Sequence, residues 1–145
     1  MQLILETHVN QPLQEVISGF NQQLFEALAP PFPKVNLDRF DGCHTGDIVS
    51  MQLDFGAFKQ AWVSEITRQG SSESSWFFID EGRELPPPLK YWRHRHLLTA
   101  LPEGGTLITD HIIYRTANKA LDAIIYPGLL LQFLYRKPVY KKYFS

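Results

Sequence analysis

Apolar and polar positions alternate most sharply over Tyr91-Trp92-Arg93-His94-Arg95-His96-Leu97-Leu98, where a strand puts Trp92, His94, His96 and Leu98 on one face and Tyr91, Arg93, Arg95 and Leu97 on the other. The same two-residue texture predicts strands at Leu3 to Val9, Val35 to Phe40, Asp47 to Phe55, Phe58 to Thr67, Ser75 to Asp80, Tyr91 to Thr99 and Thr106 to Tyr114. Between the last six stand turn-forming clusters at short intervals: Asp41-Gly42, Gly56, Gly70-Ser71-Ser72, Pro86-Pro87-Pro88 and Pro102-Glu103-Gly104-Gly105. Connections this short predict an antiparallel meander.

Two stretches follow the helical period instead. Pro12 suits a first helical position and Glu15 the positive end of a helix dipole, so Leu13 to about Ala29 reads as a helix, with a break at Gly19 and a stop at Pro30, Pro31 and Pro33. Asn118 to about Arg136 reads as a long helix capped by Asn118, with a kink expected at Pro127. That second helix is apolar nearly all round. It must be covered on more than one side, or face a cavity, a partner or a membrane.

Composition narrows the setting. With 145 residues, 44% apolar and 13% aromatic, the chain is expected to fold as one domain, residues 1–145, around one core. Lys plus Arg is 14 and Asp plus Glu 15, a balance that argues against a dedicated nucleic-acid binder. Cys43 is the only cysteine, so no intramolecular disulfide forms. The first residues carry no basic leader or long apolar core, and the apolar run near Ala123 to Leu134 falls short of the roughly 20 residues that span a bilayer. A cytoplasmic protein without stable membrane insertion is the expectation.

The element order is strand, helical segment, six strands and long terminal helix. With Arg39-Phe40-Asp41-Gly42, Gly46-Asp47, Trp62, Phe78-x-Asp80-x-Gly82, Leu85-Pro86, Trp92-x-His94-x-His96, Asp110 and Tyr135-Arg136, it resembles the SRPBCC superfamily. That superfamily comprises birch-pollen allergens, lipid-transfer START domains and polyketide cyclases, which share the helix-grip fold, and within it the chain looks like the bacterial ligand-binding proteins of uncharacterised function. The likeness spans nearly the whole chain. It implies an α+β helix-grip (START-like) architecture, a curved seven-stranded antiparallel sheet around a long C-terminal helix. It also implies a small hydrophobic or lipid-like molecule bound between the two, for transport or sensing, with no cofactor.

Such a cavity needs apolar walls and a few convergent polar groups. The candidate walls are Phe55, Trp62, Phe78, Trp92, Ile108, Ile112, Ile125 and Leu129, although each would serve equally well in an ordinary packed core. Trp92, His94, His96 and Asp110 are the candidate polar end. If the turn at Pro102 to Gly105 pairs residues of like parity, Asp110 meets the histidines; a shift of one residue puts His111 there instead.

That cluster has several readings. It serves as a buried hydrogen-bonded network, as an anchor for a ligand's polar end, or as a metal site if Asp110, Asp80 or His111 supplies a further ligand. An acid–base pair of the polyketide cyclase or dehydratase type is the enzymatic alternative, though no nucleophile motif, phosphate loop or His-Glu-x-x-His signature supports catalysis. No catalytic residue and no metal ligand is therefore assigned. Arg93 and Arg95 are expected on the solvent face, Arg39 and Asp41 as a local ion pair, and Asp80 as the partner of an arginine or a cap for the turn at Gly82.

After Leu131 come Arg136, Lys137, Lys141 and Lys142, interleaved with aromatic residues. They complement the helix dipole and cover the core, or they form a weak membrane-surface patch. The apolar surplus on residues 120–135 leaves the oligomeric state open.

Overall fold

The computed structural model describes residues 1–145. In chain order the elements are β1 (Gln2–Val9), α1 (Leu13–Gly19), α2 (Gln22–Ala27), β2 (Lys34–Phe40), β3 (Ile48–Asp54), β4 (Lys59–Ser71), β5 (Ser75–Glu84), β6 (Tyr91–Ala100), β7 (Thr106–Arg115) and α3 (Lys119–Tyr143). All seven strands join one antiparallel sheet in the order β1-β7-β6-β5-β4-β3-β2. The meander from β2 to β7 follows from its short turns, and β1 closes the far edge beside β7. This is the expected helix-grip architecture.

Irregularities in register bend the sheet. They fall between Leu37 and Arg39 on β2, and at Val63/Ser64 and Ile66/Arg68 on β4. An extra residue on one strand sharpens its local twist, so these positions curl the β2 to β5 half of the sheet. At the opposite end, Gly104 and Gly105 take φ of +103° and +82°, which side chains other than glycine rarely adopt. Their turn sets the β6–β7 register.

The predicted first helix divides in two. α1 ends at Gly19, where a Cβ would collide with the Phe144 ring, so glycine lets α1 lie against the end of the chain. Asn21 then starts α2, its Oδ1 accepting from Leu24 N at 3.1 Å. The predicted terminal helix begins at its expected cap, with Asn118 Oδ1 accepting from Leu121 N at 2.9 Å.

It does not end near Arg136. α3 runs on through Pro138 to Tyr143, and Tyr140 and Phe144 are fully enclosed among Val16, Leu24, Trp76 and Ile108. Burying each large side chain contributes up to about 3 kcal/mol, against a cost of about 3 kcal/mol for a proline within a helix, so packing prevails over the local break.

The interior has two packed clusters. One gathers α1, α2 and the end of α3 over Ile66, Trp76, Leu98 and Ile108; the other places Phe133 of α3 on Leu3, Trp92, Ile112 and Tyr114. α3 lies mainly along β1 and β7. Its outward side leaves Ile124 and Leu131 72% and 68% exposed. No helix is long and apolar enough to cross a membrane.

Candidate functional site

Strand alternation does on β6 what the sequence predicts: Trp92, His94, His96 and Leu98 are buried and the intervening residues are not. Arg95 lies on the outer face, its guanidinium 5.3 Å from the centre of the Phe77 ring. The β6–β7 register places Asp110 opposite His96, and His111 faces out, within 3.0 Å of Gln2 Oε1. On the other side of β6, β5 sets Asp80 opposite His94 and Phe78 opposite His96. Two carboxylates therefore flank two imidazoles.

The bonds run diagonally across these pairs. His94 Nε2 meets Asp110 Oδ1 at 2.7 Å, and His96 Nε2 meets Asp80 Oδ2 at 2.7 Å. Each imidazole so bonded is a donor to its carboxylate. Asp80 is thus neither an arginine partner nor a turn cap, as its sequence position implied; an inward place on β5 gives it to the histidines. The rings lie 3.6 Å apart, and His96 stacks on Phe78 at 4.1 Å between centres. From α3, Arg136 brings Nη1 to 3.7 Å from Asp110 Oδ1.

Burial governs the protonation of this group. His94 is pulled down to about 4 by burial and by the neighbouring His96, against the pull of the Asp110 hydrogen bond, so its imidazole is neutral at pH 7. Burial alone would raise Asp110, but the hydrogen bond from His94, with the Arg136 cation nearby, holds it down at about 2. Burial alone would raise Asp80 too, but the hydrogen bond from His96, with the Arg136 cation nearby, holds it below the usual carboxylate range. The site therefore presents ionised carboxylates behind imidazole donors.

This group forms one end of a cavity of about 280 Å³ between the curled sheet and helices α2 and α3. Of the candidate residues, Phe55, Trp62, Phe78, Trp92, His94, His96 and Leu129 line it. Trp62 and Trp92 meet edge to face at 4.9 Å, and Trp62 Nε1 donates to Ser64 Oγ at 2.9 Å. The other candidates lie elsewhere. Ile108 and Ile112, both 0% exposed, belong to the packed clusters, Ile125 packs against the second of these, and Asp110 sits behind the histidines.

Several lining residues went unpredicted. Leu24 and Phe25 reach the cavity because Asn21 starts a separate helix, and Asn21 itself, a good capping residue, was the available signal. Val35, Met51 and Leu53 form the wall on β2 and β3, and Gln132 and Arg136 are the polar positions on α3. A lone arginine following the apolar stretch of α3 was the signal for the last. Cys43 also lines the cavity, but burial pushes its thiol up to about 12, which removes it as a nucleophile.

Comparison with known proteins places the fold. No protein-family model matches the chain, and no curated protein does. Among solved structures, a protein of Mycobacterium smegmatis superposes with a TM-score of 0.65 at 20% identity, covering 92% of this chain and 84% of its own. Major latex-like protein 151 of Panax ginseng gives 0.63 at 16% identity, covering 97% of both chains. A point mutant of the norcoclaurine synthase of Thalictrum flavum, in complex with a transition-state analogue, gives 0.66 at 14% identity and covers 92% and 89%. At these identities the likeness is one of fold.

Proposed function

We propose that the chain binds a small hydrophobic or lipid-like molecule in this cavity, as a carrier or sensor. The apolar body of the ligand rests on Val35, Met51, Leu53 and Phe55, and its polar end meets Gln132, Arg136 and the histidines of β6. One observation carries the reading: inward apolar side chains on β2 and β3 face an opening of about 280 Å³ where the same positions on β7 face packed neighbours. An apolar void forfeits dispersion contacts that a matching ligand restores. Its size stands near the lower end, about 300 Å³, of small-molecule sites, and its lining has the expected few polar groups among apolar walls. The Thalictrum synthase structure, a complex with a transition-state analogue, supports small-molecule use of this fold.

The test is native mass spectrometry of protein purified from its own host, followed by titration with an apolar fluorescent dye. A co-purifying mass and one saturable dye site are expected, and Met51→Trp, which fills the opening, should abolish both while the protein stays folded. Undiminished dye binding by folded Met51→Trp would overturn the proposal. The enzymatic reading draws on His94, which lines the cavity with its far nitrogen fixed by Asp110. Turnover of cyclic polyketide-like substrates by the wild type, lost in His94→Ala and His96→Ala, would decide for it.

A further inference from the structure

The diagonal hydrogen bonds leave an electrostatic conflict. Once His94 Nε2 donates to Asp110, its neutral ring has a bare lone pair at Nδ1, and that atom lies 3.7 Å from Asp80 Oδ2. In the tautomer in which His96 Nε2 donates to Asp80, the lone pair lies at Nδ1, 3.7 Å from Asp110 Oδ1, and that nitrogen is fully buried without a hydrogen-bond partner. His96 is itself only 8% exposed. A buried, unpartnered lone pair at His96 Nδ1 therefore faces one carboxylate, and the lone pair at His94 Nδ1 faces the other beside the cavity, contacts that are costly where they are shielded from water.

A single cation removes both contacts. One donor atom from each of Asp80, His94 and His96 lies within 4.8 Å of the other two. We propose that Asp80, His94 and His96 bind a divalent first-row transition ion of the zinc class through Asp80 Oδ2, His94 Nδ1 and His96 Nε2. Metal-to-ligand bonds of 2.0–2.1 Å in a tetrahedral site set ligand atoms about 3.4 Å apart. The present separations from Asp80 Oδ2, 3.7 and 2.7 Å, bracket that spacing, and the cluster's donor atoms all lie within 4.8 Å of one another, so side-chain adjustment would draw them onto one ion.

The proton balance also closes. When the ion takes His96 Nε2, the ring proton moves to Nδ1, which then donates toward Asp110 instead of opposing it. His94 keeps its proton on Nε2 and its bond to Asp110. Asp110 thereby orients both metal-bound imidazoles from behind, the arrangement that fixes tautomer and raises ligand basicity in metal sites. Two nitrogens and one carboxylate oxygen favour zinc-class ions over magnesium or calcium. All three ligand residues line the cavity, which supplies an entry route and leaves a fourth position facing a bound molecule. The ion is proposed independently of any apolar ligand.

The experiment uses the full chain, freed of metal by chelator and titrated with Zn²⁺ and Co²⁺ by calorimetry and visible absorption. One equivalent should bind, with d–d bands for Co²⁺. His96→Gln and Asp80→Asn should each weaken binding at least about 100-fold, and Asp110→Asn about 10- to 100-fold. His44→Gln and His111→Gln, away from the cavity, should leave it unchanged. Ring ¹⁵N NMR of the wild type gives an answer even if the variants fail to fold: Zn²⁺ should move the His96 proton from Nε2 to Nδ1. No uptake of either ion, with unchanged ring nitrogens, would overturn the proposal and assign a proton to the same place. The dye titration is read separately, so failure of either proposal is distinguishable from failure of the other.

Discussion

β7 and β3 belong to one sheet and show one alternation, yet they end in different surroundings. On β7 the inward residues Thr106, Ile108, Asp110, Ile112 and Tyr114 are all buried, because α3 lies along that half of the sheet. On β3, Val49 is buried but Met51 and Leu53 remain half-exposed to the cavity. The difference is therefore not in the alternation. It comes from where the helix lies and how far the bulged strands curl beyond it.

Four measurements test that contrast. The largest effect belongs to the packed half: Ile112→Ala should destabilise the protein by about 2–5 kcal/mol in denaturant titration, since Leu3, Trp92, Tyr114 and Phe133 cannot collapse into the gap. A loss below about 1 kcal/mol would remove the distinction between the halves.

The second concerns the clamp between β7 and α3. Asp122 accepts from Thr116 N and Oγ1, both at 2.6 Å, and these hydrogen bonds hold its carboxyl below the usual carboxylate range. Because the folded value lies below the unfolded one, near 3.9, its contribution is complete above about pH 5 and is lost as pH falls through the folded value. Thermal melts should thus show Asp122→Asn less stable than wild type at neutral pH, with the gap closing in acid. A gap that is constant with pH would refute the charged clamp.

On the open half the sign should reverse. Met51→Phe adds volume where there is room, so it should be neutral or stabilising by about 0.5–1 kcal/mol while weakening dye binding. The corresponding change at Ile112 would overpack the core and cost about 1–3 kcal/mol. The smallest effect is a reference: Arg83 and Glu65, 3.1 Å apart and both substantially exposed, should lose no more than about 1 kcal/mol in Arg83→Ala.

The same contrast marks what the sequence could convey. Alternation told which side of β6 faces inward, and the turn clusters told that the strands form a meander, because both are properties of neighbours along the chain. Whether Asp110 or His111 meets the histidines depended on a one-residue register that Gly104 and Gly105 settle through backbone geometry. Ile108 and Leu53 look alike in sequence, as inward aliphatic residues. Only the course of α3 makes the first core and the second cavity wall. That course in turn depends on Tyr140 and Phe144, which carry the helix past a proline that locally signals its end.

α3 is fastened at both ends, by the Asp122 hydrogen bonds to Thr116 at its start and by Tyr140 and Phe144 in the core at its finish. Mechanically it is a beam with fixed supports, and its middle, carrying Leu129, Gln132 and Arg136 over the cavity, cannot swing without releasing one of them. α2 has six residues and only Leu24 buried, so it is the compliant wall of the chamber. A molecule bound as proposed would enter most easily there, while the fixed beam would hold Gln132 and Arg136 in place over the cavity.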